Sequence, residues 1–203
     1  MEAVVTKEKT RSRNRRPARN LRYLLCDPTG EAGEPSSSDV DRVFSPIRCL
    51  DKAVDENPRM ILVRFGRMPI RERETMVELC FALKRNTHTR DCPVLVLLSS
   101  MHRGLMEDLN RSGVDFVKCI GGAALNSSQL REIVGGLGPD DCPERQLSAL
   151  CDFLHYTPID GQREITVCGA YLERLVLGGR WLHEVCETEN HLQCEYYMNP
   201  RVK

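Results

Sequence analysis

The sequence predicts an open, doubly wound parallel α/β sheet of five strands, followed by a small, mainly helical module rich in cysteine. Three observations lead there. Short apolar runs rich in Val, Ile, Leu or Phe recur from residue 21 onward, as strands buried on both faces do. They alternate strictly with stretches of helical pattern, which implies crossover connections and helices on both faces of one sheet. A Gly/Pro-rich connection, "GGLGPDDCPERQ" (135–146), then precedes a change of composition.

In chain order, "LRYLLC" (21–26) is the first strand and ends against Asp27. "PTGEAGEPSSS" (28–38) has the Gly, Pro and Ser content of a loop. "PIRCLDKAVDEN" (46–57) reads as a helix and "MILVRF" (60–65) as a strand. The spacing in "RERETMVELCFALKRN" (71–86) sets Met76, Val77, Cys80, Phe81 and Leu83 towards one side of a helix. "PVLVLLS" (93–99) and "DFVKCI" (115–120) are further strands, separated by the helix "RGLMEDLNRSG" (103–113), which Gly113 stops. "SSQLREIVGGLG" (127–138) opens on serines able to cap it.

The 203 residues suffice for one sizeable domain and an appendage, divided here into a basic flexible arm (1–19), the α/β domain (20–138) and the cysteine-rich module (139–203). Lys+Arg and Asp+Glu number 29 each, so no whole-molecule field recruits nucleic acid or membrane. In "TKEKTRSRNRRPARNLR" (6–22), Lys7, Lys9, Arg11, Arg13, Arg15, Arg16, Arg19 and Arg22 face only Glu8. Such a run can meet nucleic-acid phosphates or an acidic protein, or be a solvated tail; with no aromatic to stack on a base, nucleic acid is disfavoured. No apolar run approaches the roughly 20 residues of a membrane helix, and no apolar segment follows the basic N-terminus. A cytoplasmic protein is expected, and its ten cysteines are expected as thiols or ligands rather than disulfides.

"NPRMILVRFGRMP", a helix, "CPVLVLLSS", then "LNRSGVDFVKCIGG" and a closing helix together resemble the receiver domain of bacterial two-component response regulators, from its third strand to its fifth helix. That resemblance implies a phosphoacceptor aspartate three residues before Met68-Pro69, where this chain has Phe65. It places the family's lysine at Lys118, with Cys119 for the following proline, its fourth-strand hydroxyl at Ser99, displaced by one from Leu98, and one magnesium-holding acid at Asp27. It also implies that the first helix is reduced to the 28–38 loop and that "DRVF" (41–44) is the remnant of the second strand. Phosphoryl uptake needs a carboxylate nucleophile, a divalent cation held by several carboxylates and a lysine. With only Asp27 and Lys118 left, the resemblance implies a pseudo-receiver that is not an enzyme and binds no magnesium, its two remnants satisfied as an ordinary ion pair. The face of the fourth helix, fifth strand and fifth helix, where receivers dock partners, would then be constitutive or governed by the C-terminal segment.

Half of the cysteines lie in the last third. Cys151, Cys168, Cys186 and Cys194 are candidate ligands, with Cys142 and His191 in reserve, whereas Cys26, Cys49, Cys80, Cys92 and Cys119 read as packing residues. A segment of some 60 residues poor in large apolar side chains lacks the core to fold alone, which a metal would remedy. The absence of any Cys-x-x-Cys pair favours an iron–sulfur cluster over zinc. The other reading is a helical appendage over "VCGAYLERLVLGGRWLHEVC" with Trp181 as its packing anchor. The leading function is a non-catalytic signalling adaptor that binds a protein partner: a kinase, another regulator, or a polarity or motility protein. A nucleic-acid-binding regulator and a redox-sensing thiol protein are the alternatives.

Overall fold

A computed structural model describes residues 23–31 and 39–202. The arm, residues 1–19, and most of the loop after the first strand, residues 32–38, lie outside the described residues. The chain builds β1 (Tyr23–Cys26), β2 (Val40–Val43), α1 (Pro46–Glu56), β3 (Met60–Phe65), α2 (Ile70–Arg85), β4 (Val94–Leu98), α3 (Arg103–Ser112), β5 (Phe116–Cys119) and α4 (Ser127–Gly135). The five strands are parallel in the order β2-β1-β3-β4-β5, with Tyr23 paired to both Val40 and Met60, and Val63 to Val96. This is the flavodoxin- and receiver-like order of doubly wound sheets, whose ligands sit beyond the carboxyl ends of the strands.

The two faces follow from the period of two along each strand. Leu24, Cys26, Ile61, Val63, Phe65, Val94, Val96, Leu98 and Val117 point to the face covered by α1, α2 and α3. Leu25, Leu62, Leu95 and Leu97 point to the face that meets Leu130 of α4. Local chemistry fixes the helix ends. Ser45 caps α1 through the Arg48 N–H, and Gly113 closes α3 in the left-handed region at φ 79°. The cap of α4 is Asn126, in a capping box with Gln129, rather than the serines that follow it.

After α4 come a 3-10 turn (Pro139–Asp141), α5 (Pro143–Ser148), and the strands β6 (Leu154–Pro158), β7 (Glu164–Cys168) and β8 (Leu175–Leu177), which form an antiparallel meander in that order. The expected helical content is present in short pieces at Gly179–Trp181, Leu182–Cys186, Glu189–Gln193 and Glu195–Met198. The sheet that precedes them was not expected. Residues 167–186 do not form one helix: β7 ends, Leu172 and Glu173 turn the chain with φ of 54° and 57°, and β8 returns before Gly178 and Gly179 break the pattern again. Trp181, expected as a packing anchor, is 52% exposed and lies outside the buried cluster of the module. The core of the α/β unit does not stop at residue 138, because Leu150 is buried in it and Leu147 packs against it.

Candidate functional site

The carboxyl ends of β3 and β4 frame a cleft of about 500 Å³, lined by Phe65, Met68, Ser99, His102, Arg73 and Glu164 among others. Phe65 is 3% exposed and its ring belongs to the core rather than to the cleft alone. Its carbonyl accepts the Ser99 N–H at 3.1 Å, so the Ser99 backbone extends the sheet while its half-buried side chain reaches the cleft.

Asp27 and Lys118, expected to form an ion pair, do not pair with each other. Asp27 is fully buried, and Arg42 Nη2 lies 2.5 Å from its Oδ2. Its Oδ1 accepts the Thr29 hydroxyl at 2.7 Å and the Gly30 N–H at 3.1 Å. A guanidinium and a turn thus neutralise the carboxylate. Lys118 instead meets Asp141 Oδ1 at 2.7 Å. Burial acts to raise the Asp141 carboxyl, but the hydrogen bonds from Lys118 and the Gly138 N–H outweigh it and hold it below its ordinary value. The sequence offered no signal for these pairings, since Arg42 and Asp141 lie 15 and 23 residues from their partners. Beside Asp27, Arg64 is 1% exposed on β3; its Nη2 reaches the Ala123 carbonyl at 3.1 Å and the Glu31 carboxylate at 3.6 Å.

The most connected group in the cleft comes from the C-terminal module, and sequence reasoning missed it. Glu164, the first residue of β7, accepts two hydrogen bonds from Arg73 of α2, at 2.7 and 3.0 Å. His102 Nε2 is 2.9 Å from Glu164 Oε1. The same imidazole caps α3 by accepting the Leu105 N–H on Nδ1, and stacks on Tyr156 of β6 with ring centroids 3.6 Å apart. Tyr156 Oη accepts the Arg103 N–H at 3.0 Å, and the Gly161 carbonyl accepts the Ile70 N–H at 3.2 Å. Two N–H groups left over at the starts of α2 and α3 are therefore satisfied by the module. Arg73 holds the Glu164 carboxyl below its ordinary value, and burial with the Arg73 charge pushes the His102 imidazole down.

The face nominated for partners is occupied in cis. The segment 139–150 lies against α3 and β5 through Lys118–Asp141, Leu147 and Leu150, and Arg103 Nη1 donates to the Leu150 carbonyl at 2.7 Å while Nη2 meets Asp152 at 2.9 Å.

The four candidate ligand cysteines converge from four segments. Cys151, Cys168 and Cys186 are buried in one apolar cluster, and the Cys151 N–H donates to the Cys186 carbonyl at 2.8 Å. Burial pushes all three thiols up, that of Cys186 to about 12, and the neighbouring sulfurs add to it: Cys186 feels Cys151, Cys168 and Cys194. Among the described residues, however, no three His, Cys, Asp or Glu side chains stand where they could hold a metal ion. The donor set has the chemistry of a thiolate centre without its closed geometry. Of the reserve candidates, His191 is 3% exposed, with Nδ1 2.6 Å from the Thr188 carbonyl and its ring 5.0 Å from Tyr197. Cys142 is half-buried at the start of α5, outside the cluster. Cys26, Cys49, Cys80 and Cys92 are buried packing residues, with hydrogen bonding to Cys49 and burial pushing the Cys26 thiol up; Cys119, expected among them, is exposed at the end of β5.

Strand order and site together define a doubly wound α/β unit of receiver-like topology whose third strand ends in an aromatic residue. No family model and no curated protein matches the chain. Among solved structures it is similar to a response regulator from Desulfuromonas acetoxidans, at 19% identity over 56% of this chain and 93% of that one, with a TM-score of 0.40. The fold assignment rests on the strand order itself. No helix among the described residues is long and apolar enough to cross a membrane.

Proposed function

We propose that the protein is a non-catalytic signalling adaptor, a pseudo-receiver that acts through protein contacts and not through phosphoryl transfer. One observation carries this: the end of β3 presents a buried phenyl ring, while Asp27 and Lys118 are engaged in separate ion pairs with Arg42 and Asp141. β3 itself ends in a phenyl ring and not in a carboxylate, and Asp27 already has a counter-charge in Arg42. The partner is a protein of a signalling pathway, such as a kinase, a regulator, or a polarity or motility protein. Six of the nine exposed large apolar side chains among the described residues, Trp181 and Leu192 among them, belong to the C-terminal module, which offers that partner an apolar surface.

The C-terminal module is proposed in addition to hold a metal centre on Cys151, Cys168, Cys186 and Cys194, an iron–sulfur cluster in preference to zinc. Three thiols in one apolar cluster, with Cys194 near enough to act on the Cys186 thiol, support this; ligation requires the four side chains to close up from where they stand. The adaptor reading is tested by incubating the protein with magnesium and acetyl phosphate, then measuring intact mass. An unchanged mass is expected. A stoichiometric phosphoryl adduct labile to acid and base would refute it.

A further inference from the structure

We propose that Glu164 is the molecule's built-in anionic trigger: a carboxylate, delivered by the C-terminal hairpin, that holds the loop after β4 and the start of α2 in one arrangement, the task a phosphoryl group performs in a receiver that accepts one. This rests on the pseudo-receiver reading.

The position is specific. Glu164 stands between the N-termini of two long helices, bonded twice to Arg73 in the first turns of α2 and facing His102, the N-cap of α3. Both helix ends favour negative charge. It lines the same cleft as Phe65 and Ser99, at the carboxyl edge of the sheet where phosphoryl chemistry would otherwise occur. The carboxylate also arrives with the structure that depends on it. Gly161 closes the first turn of α2, Tyr156 stacks on His102 and takes the Arg103 N–H, and Arg103 in turn grips Leu150 and Asp152 on either side of Cys151. An anion at this point therefore bears on two things together: the conformation of residues 99–103, and the docking of the β6–β7 hairpin on the starts of α2 and α3. A covalent phosphoryl group is transient, whereas a side-chain carboxylate stays for as long as the hairpin is docked. Displacing the hairpin becomes the switching event.

The test is hydrogen exchange on the full-length Glu164→Ala protein. Exchange in residues 99–106 and 154–165 is expected to rise at least about tenfold, with the strands of the central sheet unaffected. Because the cleft is open to small ions, acetate or inorganic phosphate should restore much of the protection, and chloride at equal ionic strength should not. Glu164→Asp should lie between the two proteins. Unchanged exchange at 99–106 in Glu164→Ala would overturn the proposal, as would a loss that neither acetate nor phosphate reverses, since the side chain would then serve packing alone. Neither result bears on phosphoryl uptake, which the mass measurement decides separately.

Discussion

Phe65 ends β3 with a ring that belongs to the core. A ring at the end of β3 fills the core between α2 and α3, where a carboxylate would have to be solvated or ligated. On the proposed reading, introducing an acid there gives no working site. Phe65→Asp should destabilise the protein by about 3 kcal/mol or more, through lost burial and an unpaired charge. It should still take up no phosphate, because Asp27 remains with Arg42 and Lys118 with Asp141. Urea unfolding gives the first quantity and intact mass the second; a stable Phe65→Asp protein that becomes phosphorylated would show that those ion pairs yield readily.

Among the elements, the hairpin between β6 and β7 carries the contact that matters most, and its charges make that contact sensitive to pH. Arg73 holds Glu164 below its ordinary pKa of 4.5, so that stabilisation is present above 4.5 and disappears as pH falls through the lower folded value. Burial and Arg73 hold His102 below 6.5, so the unfolded chain binds the proton more readily and stability declines as pH drops from 6.5. The groups packed around the imidazole are Arg73 from α2, Tyr156 from β6 and Glu164 from β7; the carboxylate opposes the shift without reversing it. Both contributions have the same sign. The urea midpoint should fall as pH is lowered from 7.5 towards 5.5 and fall further below 4.5, with His102→Gln flattening the upper part. A midpoint that rises over the first interval would contradict the assignment.

In the whole molecule, the α/β unit and the C-terminal module share one structure instead of standing side by side. Leu150, next to Cys151, is buried in the core formed with α1, α2 and α3, and Arg103 bonds to residues on both sides of that cysteine. If the four thiols hold a metal, Cys186→Ser should release it and open residues 151–203 to protease, while the central sheet stays resistant. Iron would show as absorbance bleached by dithionite and zinc by elemental analysis. Protein purified without oxygen that contains neither, with all four thiols reactive in the folded state, would make them packing residues.

The sequence by itself determined four of the five parallel strands and the four helices of the α/β unit, because each is a local pattern: an apolar run for a strand buried on both faces, an amphipathic period or a cap for a helix; β2, the edge strand Val40–Val43 with Asp41 and Arg42 at its centre, has no such run. It also determined that no aspartate ends the third strand, since Met68-Pro69 sets the count to Phe65. The meander β6-β7-β8 was hidden by apolar spacing that fits a helix as well as two short strands, and only the left-handed turn at Leu172 and Glu173 with the pairing of Val167 to Val176 settled it. Partner choice among charges was likewise beyond local pattern. Asp27 with Arg42, Lys118 with Asp141, and Arg73 with Glu164 across 91 residues are decided by which side chains the folded backbone brings within bonding distance. Charge pairing acts over a few ångströms in space and has no period along the chain, so only the tertiary structure could decide it.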